Sequence, residues 1–383
     1  ADMDDLVAYL THLETDLAPG VNNDRIQVAS LLPLQGPQGR LGQAMAQVML
    51  AYFKGVNARG GVFGRRSELL AVPFGDSPEA TLGNLRSAFQ REGIFALVGA
   101  NTVGLDQEIL DLLREQDTPL IGPFTQDPGD EIVNAAAFYL YPGFVEQARA
   151  LADAAFKETS ADTPVVLVGP EGDHVDRLVQ AVQQQQGARG TEADVSVRYP
   201  RGEMDVEALA ERVAESNSDT LFFFGDQADL EALLAALAER ELSPRVYLLS
   251  AFVPRSLFEA PPAFDQRLFL AYPTLGSDVS DSGRDEYAKL AQAHALPPDH
   301  LQGQIAAFAA AKLLVEGLRG AGRDLSRLAL VDALEALYAF ETGLTPPLSY
   351  GPNRRIGARG AHVVAVDLVN KSYQPVGGWH ELR

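Results

Sequence analysis

The chain has 383 residues and a mass of 41.2 kDa, with 31 basic against 52 acidic side chains, so its net charge is 31 − 52 = −21. That balance, with a pI near 4.6, excludes binding through clustered cations to a nucleic-acid backbone and disfavours an anionic membrane surface. Hydrophobic residues at 46% exclude wholesale disorder, and the lack of cysteine excludes disulfides, thiolate nucleophiles, zinc–cysteine sites and covalent c-type haem within these residues.

In chain order, Leu6, Tyr9, Leu10, Leu13 and Leu17 fall on one face of an amphipathic helix predicted over 3–17, which Pro19-Gly20 ends. Strands are predicted at 26–33, 67–74, 95–99 and 119–122, alternating with helices at 41–57, 78–92 and 106–116. The alternation then restarts. Helices at 146–159, 174–186, 206–216 and 230–239 interleave with strands at 164–168, 194–198, 220–224, 245–249 and 267–271. Helices at 283–294, 301–319 and 328–339 follow, then strand-like runs at 361–369 and 373–376. The glutamine run 183–186 reads as a solvated helix end. Strands separated by helices of ten or more residues form parallel sheets covered on both faces. Two successive runs predict an α/β fold of two Rossmann-like lobes. No stretch approaches the roughly 18 apolar residues a membrane helix needs.

Ligands in open α/β sheets sit beyond the carboxyl ends of the strands, which directs attention to 34–40, 100–104, 123–127, 169–174, 225–229 and 250–254. None carries a catalytic motif. The glycine-rich stretch from Gly36 to Gly42 is neither a P-loop nor GxGxxG, and it lacks the Lys-Ser/Thr that holds phosphate and Mg²⁺. Asp76, at the end of the second strand, is acidic but has no glycine fingerprint to accompany it. GxSxG is absent, which argues against a serine α/β-hydrolase. His294 and His300 read as surface residues rather than a metal pair, and no metal or cofactor is expected. His174 opens a helix at a ligand-facing edge. Asp226 and Asp229 follow a Phe-Phe-Phe-Gly run, where each either meets a ligand cation or caps the next helix. Phe124, Tyr141, Phe144, Phe252 and Tyr272 lie at or near strand ends, as core or as the apolar wall of a pocket.

The stretches Ser30-Leu31-Leu32-Pro33-Leu34-Gln35-Gly36-Pro37, Leu41-Gly42-Gln43 and Val56-Asn57-Ala58-Arg59-Gly60-Gly61-Val62-Phe63-Gly64-Arg65 resemble the opening of type I periplasmic binding proteins. Their leucine/isoleucine/valine-binding branch serves ABC importers. Leu97-Val98-Gly99, Pro119 to Pro123 and Glu146 to Leu151 sit at matching later places. The resemblance implies two lobes joined by a three-crossing hinge that close on a small solute, with ABC transporter membrane subunits as partners. It also implies a periplasmic location, with any signal peptide outside this chain, and no catalysis. It sets the limits at 24–141 plus 276–343 for the first lobe and 142–275 plus 344–383 for the second, after a segment 1–23.

The resemblance also implies the site. Leu41, with Arg40 beside it, covers the ligand; Thr102, Val103, Phe124, Thr125 and Gln126 hold a ligand carboxylate through hydroxyls and backbone N–H groups. His174 stands where an aromatic stacks, Asp226 or Gln227 adds a contact, and Phe252 stands where an amino-acid binder places a carboxylate. Val103 and Phe252 depart from the family pattern. A ligand ammonium against Phe252 would lack a partner unless Asp226 supplied one. The expected ligand is amino acid-like or an apolar or aromatic carboxylate read by Thr102, Thr125 and Arg40. Residues 3–13 resemble the last helix of a class I cytochrome c, which implies an upstream cytochrome domain and a ligand-sensing, redox-linked role as the alternative. A two-domain dehydrogenase or transferase is the enzyme alternative.

Overall fold

A computed structural model describes residues 17–128, 136–158, 164–188, 194–252 and 255–382. The helix predicted over 3–17 lies outside them except for its last residue. The chain divides into two compact units, Ala1–Tyr141 with Gly276–Ala358, and Pro142–Leu275 with Arg359–Arg383.

Unit 1 opens with β1 (Arg25–Leu32), α1 (Gly39–Ala58), β2 (Arg66–Pro73), α2 (Pro78–Glu92), β3 (Ala96–Val98), α3 (Asp106–Glu115), β4 (Leu120–Ile121) and β5 (Ala137–Phe138). The strand order is β2-β1-β3-β4-β5 and every pairing is parallel. β1 is buried along nearly its whole length, as a parallel strand covered on both faces must be. Ala29 and Leu31 of β1 join Leu85 of α2 and Ile109 and Leu112 of α3 in one core cluster. α1 buries a stripe that includes Met45, Val48, Met49, Tyr52, Phe53 and Val56. α2 starts where Ser77 accepts the Ala80 N–H and Pro78 takes the first turn, both favoured at a helix N-terminus.

Unit 2 begins with α4 (Phe144–Glu158), β6 (Val165–Pro170), α5 (Asp173–Gly187), β7 (Asp194–Tyr199), α6 (Val206–Ser216), β8 (Thr220–Phe223), α7 (Gln227–Glu239), β9 (Arg245–Leu249) and β10 (Leu268–Tyr272). Its sheet runs β7-β6-β8-β9-β10 in parallel. Strand periodicity divides its side chains. Phe222, Tyr247, Leu249, Phe269 and Ala271 face α4 and α5, whereas Leu221, Phe223, Val246, Leu248, Leu268 and Leu270 face α6 and α7. On the first face the rings of Phe222, Tyr247 and Phe269 stack across three strands, with centroids 5.0 and 4.9 Å apart.

Three helices complete unit 1: α8 (Asp281–His294), α9 (Leu301–Ala321) and α10 (Arg327–Glu335). α9 packs on α1, with Phe308 edge-on to Tyr52 at 5.2 Å. β11 (Gly360–Asp367) then joins unit 2 antiparallel to β10, followed by β12 (Ser372–Pro375) and β13 (His380–Glu381), both antiparallel to β11.

Four features differ from the sequence reading. β5 has only two residues, too few to show a period. Unit 1 extends to Ala358 rather than residue 343, because 350–358 bond to the segment after β5. Tyr139 N–H donates to Arg355 O at 2.8 Å, Gly357 and Ala358 donate back to Tyr139 and Leu140, and Tyr350 Oη donates to Tyr139 O at 3.0 Å. α10 stops at Glu335, short of 339, because Phe340 exchanges backbone hydrogen bonds with Leu348. Gln186 is buried at 3% exposure rather than solvated.

One side chain ties α10 to the sheet. Arg327 donates to Ile94 O at 2.5 Å, Gln116 O at 2.6 Å and Phe95 O at 3.1 Å, so it closes the end of α3 and the approach to β3. Arg327→Ala should lower stability by about 2 kcal/mol, read by urea unfolding. Arg327→Lys should restore less than half of that loss, since an ammonium cannot span three carbonyls.

Candidate functional site

In both sheets the strand order reverses direction at one place, between β1 and β3 in unit 1 and between β6 and β8 in unit 2. Successive helices leave those strands on opposite faces, so the loops beyond the carboxyl ends part and leave a crevice at each edge. In unit 1 the turn into α1 is held tight by Gly42: a Cβ there would stand 2.2 Å from Pro33 O. The tight turn places Arg40 and Leu41 in the first turn of α1. Arg40 is exposed, whereas Leu41 is half-buried over Gly303 of α9, where an added Cβ would lie 2.4 Å from its Cδ1.

The loops after β3 and β4 are zipped together. Phe124 N–H donates to Ala100 O at 2.8 Å, and Thr102 N–H donates to Phe124 O at 3.1 Å. Thr102 is buried, Phe124 and Thr125 are half-buried, Val103 is 36% exposed and Gln126 is exposed. The hydroxyls at this edge are occupied. Thr102 Oγ1 donates to Asp106 Oδ1 at 2.5 Å, and Thr125 Oγ1 accepts the Asp127 N–H at 3.1 Å. Burial raises the Asp106 pKa, with Asp127 adding to the rise and the Thr102, Thr125 and Gly104 hydrogen bonds opposing it. Tyr141 closes this half of the chain. Its pKa is raised first by burial and then by the charge of Asp278.

In unit 2, Phe144 starts α4 and His174 lies in the first turn of α5. Their rings meet edge-to-face at 5.6 Å, with Phe144 buried and His174 half-buried. Across the sheet Asp226 caps α7, its Oδ1 accepting the Asp229 N–H at 3.0 Å, and Gln227 Nε2 donates to Glu231 at 2.7 Å. Asp229 accepts the Tyr199 hydroxyl at 2.8 Å, and Gly225 leaves room for that phenol, which a Cβ would meet at 2.3 Å. The backbone of Phe252 lies in a short 3-10 turn after β9; its side chain is outside the described residues. Tyr272 ends β10 on the face of α6 and α7, its ring 5.8 Å from Tyr373 of β12.

The fold thus gathers two sets of residues. Unit 1 groups Thr102, Val103, Phe124, Thr125 and Gln126 at one edge, near the first turn of α1. Unit 2 pairs Phe144 with His174 on one face and sets Asp226 and Gln227 on the other, with Tyr272 on an outlying aromatic group. Asp106 is the residue that sequence reasoning passed over. A threonine four positions before a helix-opening aspartate was the available signal. Among the described residues no three His, Asp or Glu side chains are placed to hold a metal ion.

Solved structures share this fold. A branched-chain amino acid ABC transporter protein from Thermus thermophilus with bound valine is 16% identical, with a TM-score of 0.68 over 94% of this chain and 97% of its own. A fatty acid ABC transporter substrate-binding protein from Thermomonospora curvata is 16% identical, with a TM-score of 0.65 over 96% and 95%. A leucine-binding protein from Thermotoga maritima is 14% identical, with a TM-score of 0.65 over 93% and 98%. At such identities the likeness is one of fold. No curated protein matches the sequence. Residues 25–372, which hold every parallel strand of both sheets and their carboxyl-edge loops, match the periplasmic binding protein family, and the chain belongs to that family.

Proposed function

We propose that the protein is an extracytoplasmic solute-binding component of an ABC importer, which captures a small organic molecule by hinge closure and delivers it to membrane subunits. The observation that carries this reading is the family match across 25–372. Two units that each expose carboxyl-edge loops at a strand-order reversal, joined by crossings at 141/142, 275/276 and 358/359, support it. In unit 1 the contacts come from Arg40 and Leu41 and from the loops at 102–103 and 124–126, with Tyr141 at the crossing. In unit 2 they come from His174 beside Phe144, from Asp226 and Gln227, and from Phe252 and Tyr272 at the ends of β9 and β10. The Thermus relative carries valine and the Thermomonospora relative is a fatty acid binder, so the solute class we assign is amino acid-like or an apolar carboxylate. Among the described residues no helix is long and apolar enough to cross a membrane.

The resemblance of residues 3–13 to the end of a class I cytochrome c favours a second reading: a ligand-sensing receptor fused to a redox domain. A Cys-x-x-Cys-His motif in the reading frame upstream of residue 1 is its expected signature. A frame without that motif removes this reading and leaves the first intact.

A thermal-shift panel of valine, leucine, phenylalanine, phenylacetate and octanoate tests the first reading. At least one should raise Tm by about 3 °C or more at concentrations near 100 times Kd. A flat panel, with no solute found by mass spectrometry in the purified protein, would overturn it. His174→Ala should weaken the binding ligand about tenfold and leave Tm of the free protein within about 2 °C, read by calorimetry. The solute should also be recovered unchanged after prolonged incubation; NMR detection of a product would assign an enzyme instead.

A further inference from the structure

At the amino ends of β4 and β5 a groove of about 380 Å³ opens between α3 and α10. Leu110 and Leu113 line it from α3, Leu328 and Val331 from α10, and Pro119 and Leu120 from the start of β4. Leu328 is 69% exposed. An open leucine beside a concave apolar surface marks a binding face rather than scattered surface apolarity. Three charged side chains stand among the lining residues, Arg114, Asp117 and Arg327. Arg114 pairs with Asp111 at 2.7 Å. The hydrogen bonds of Arg327 go to three backbone carbonyls and, among the described residues, to no carboxylate.

The chain enters unit 1 beside this groove. Gly20 O accepts the Gln27 N–H at 2.7 Å, and a Cβ on Gly20 would stand 2.5 Å from Phe95 N and 2.9 Å from Gly93 O. Arg327 donates to Ile94 O and Phe95 O, so Gly20 and the cation of the groove hold the same stretch, 93–95. Only Ala18 and Pro19 separate Gly20 from Leu17, the last residue of the apolar face predicted over 3–17. That face of Leu6, Tyr9, Leu10, Leu13 and Leu17 needs a cover, because a helix of about 15 residues is marginal in water without one. Such a helix is roughly 22 Å long. The segment carries Asp4, Asp5, Glu14 and Asp16 and no Lys or Arg, and Glu14 and Asp16 lie nearest the entry point, where Arg327 stands. A tether this short gives an effective concentration on the order of millimolar, which an unlinked partner must exceed.

We propose that residues 3–17 dock by their apolar face in the groove between α3 and α10, an intramolecular anchor at the amino edge of unit 1. The loops that the proposed function assigns to the solute lie at the opposite ends of the same strands, so docking leaves them free. The anchor does not depend on that function. It competes with the redox-domain reading, in which the same apolar face packs on an upstream domain.

Hydrogen–deuterium exchange of the whole chain tests the docking. Amides over 6–17 should exchange at least tenfold slower than in a free peptide of that sequence. Leu328→Glu should remove most of this protection and leave the amides of β1 and β3 unchanged. Exchange over 6–17 as fast as in the peptide, or protection untouched by Leu328→Glu, would overturn the proposal. A second measurement holds even if the glutamate variant does not fold. The chain contains no cysteine, so engineered pairs report proximity without background. Leu328→Cys combined in turn with Leu6→Cys, Leu10→Cys and Leu13→Cys should close an intramolecular disulfide in at least one pair, which needs Cα atoms about 4.4–6.8 Å apart. Leu50→Cys on α1, 48% exposed and outside the groove, should close with none of the three. No closure at Leu328→Cys, or equal closure at Leu50→Cys, would overturn the docking. Protection that falls on dilution, with a dimer seen by sedimentation, would seat a second copy in the groove and overturn the intramolecular anchor. Protection lost over 129–135 in Leu328→Glu, with 6–17 unchanged, would overturn it in favour of that nearer segment.

Discussion

Parallel strand pairing is the constraint on which the rest of this molecule depends. A parallel strand can be joined to its neighbour only by a crossover, and the crossover helix covers one face of the sheet. β1 pairs parallel with both β2 and β3, so the chain must leave it in one direction and return in the other. Helices then fall on both faces, β1 is buried along its length, and the loops at its carboxyl end are forced apart. The same rule acts on β6 between β7 and β8. Each crevice follows from strand order before any side chain is considered.

Side chains decide what each crevice can hold. In unit 1 the polar groups satisfy one another: the Thr102 hydroxyl closes on Asp106, and the Thr125 oxygen takes the Asp127 N–H. In unit 2 the first turns of α4 and α5 bring an apolar and an aromatic polar ring into contact, while Asp226 serves its own helix as cap. A carboxylate at a helix start has two uses, capping and ligand contact. The Asp229 N–H at 3.0 Å shows the first in operation at Asp226.

Much of the fold was legible in the chain. The helices at 78–92 and 206–216 agree with the structure to the residue, because each begins at a capping side chain, Ser77 or Asp205, and follows an apolar period of 3.6. Strands such as Arg245–Leu249 stood out as short apolar runs between polar segments. The failures share a cause. β5 has two residues and no period, α10 loses its last turn to a backbone exchange with residue 348, and Gln186 is buried in the folded chain although its own sequence is a polar run. Grouping of the site residues was legible as loop positions, since strand ends can be counted. Their hydrogen-bond states were not, since the loops carrying Thr102 and Phe124 exchange backbone hydrogen bonds only when β3 and β4 pair.

The sequence by itself determined the class of fold, two runs of alternating strands and helices, because periodicity and capping are local properties of the backbone. It also determined which loops lie at the carboxyl ends, because strand direction follows from crossover connections. The tertiary structure alone decided where unit 1 ends, since residues 350–358 bond to Tyr139 and Leu140 across more than 200 positions. It alone decided that the loops after β3 and β4 are joined, with the Phe124 N–H on Ala100 O and the Thr102 N–H on Phe124 O. A backbone proton goes to whichever acceptor the packed loops bring within about 3 Å, and no sequence period encodes that distance.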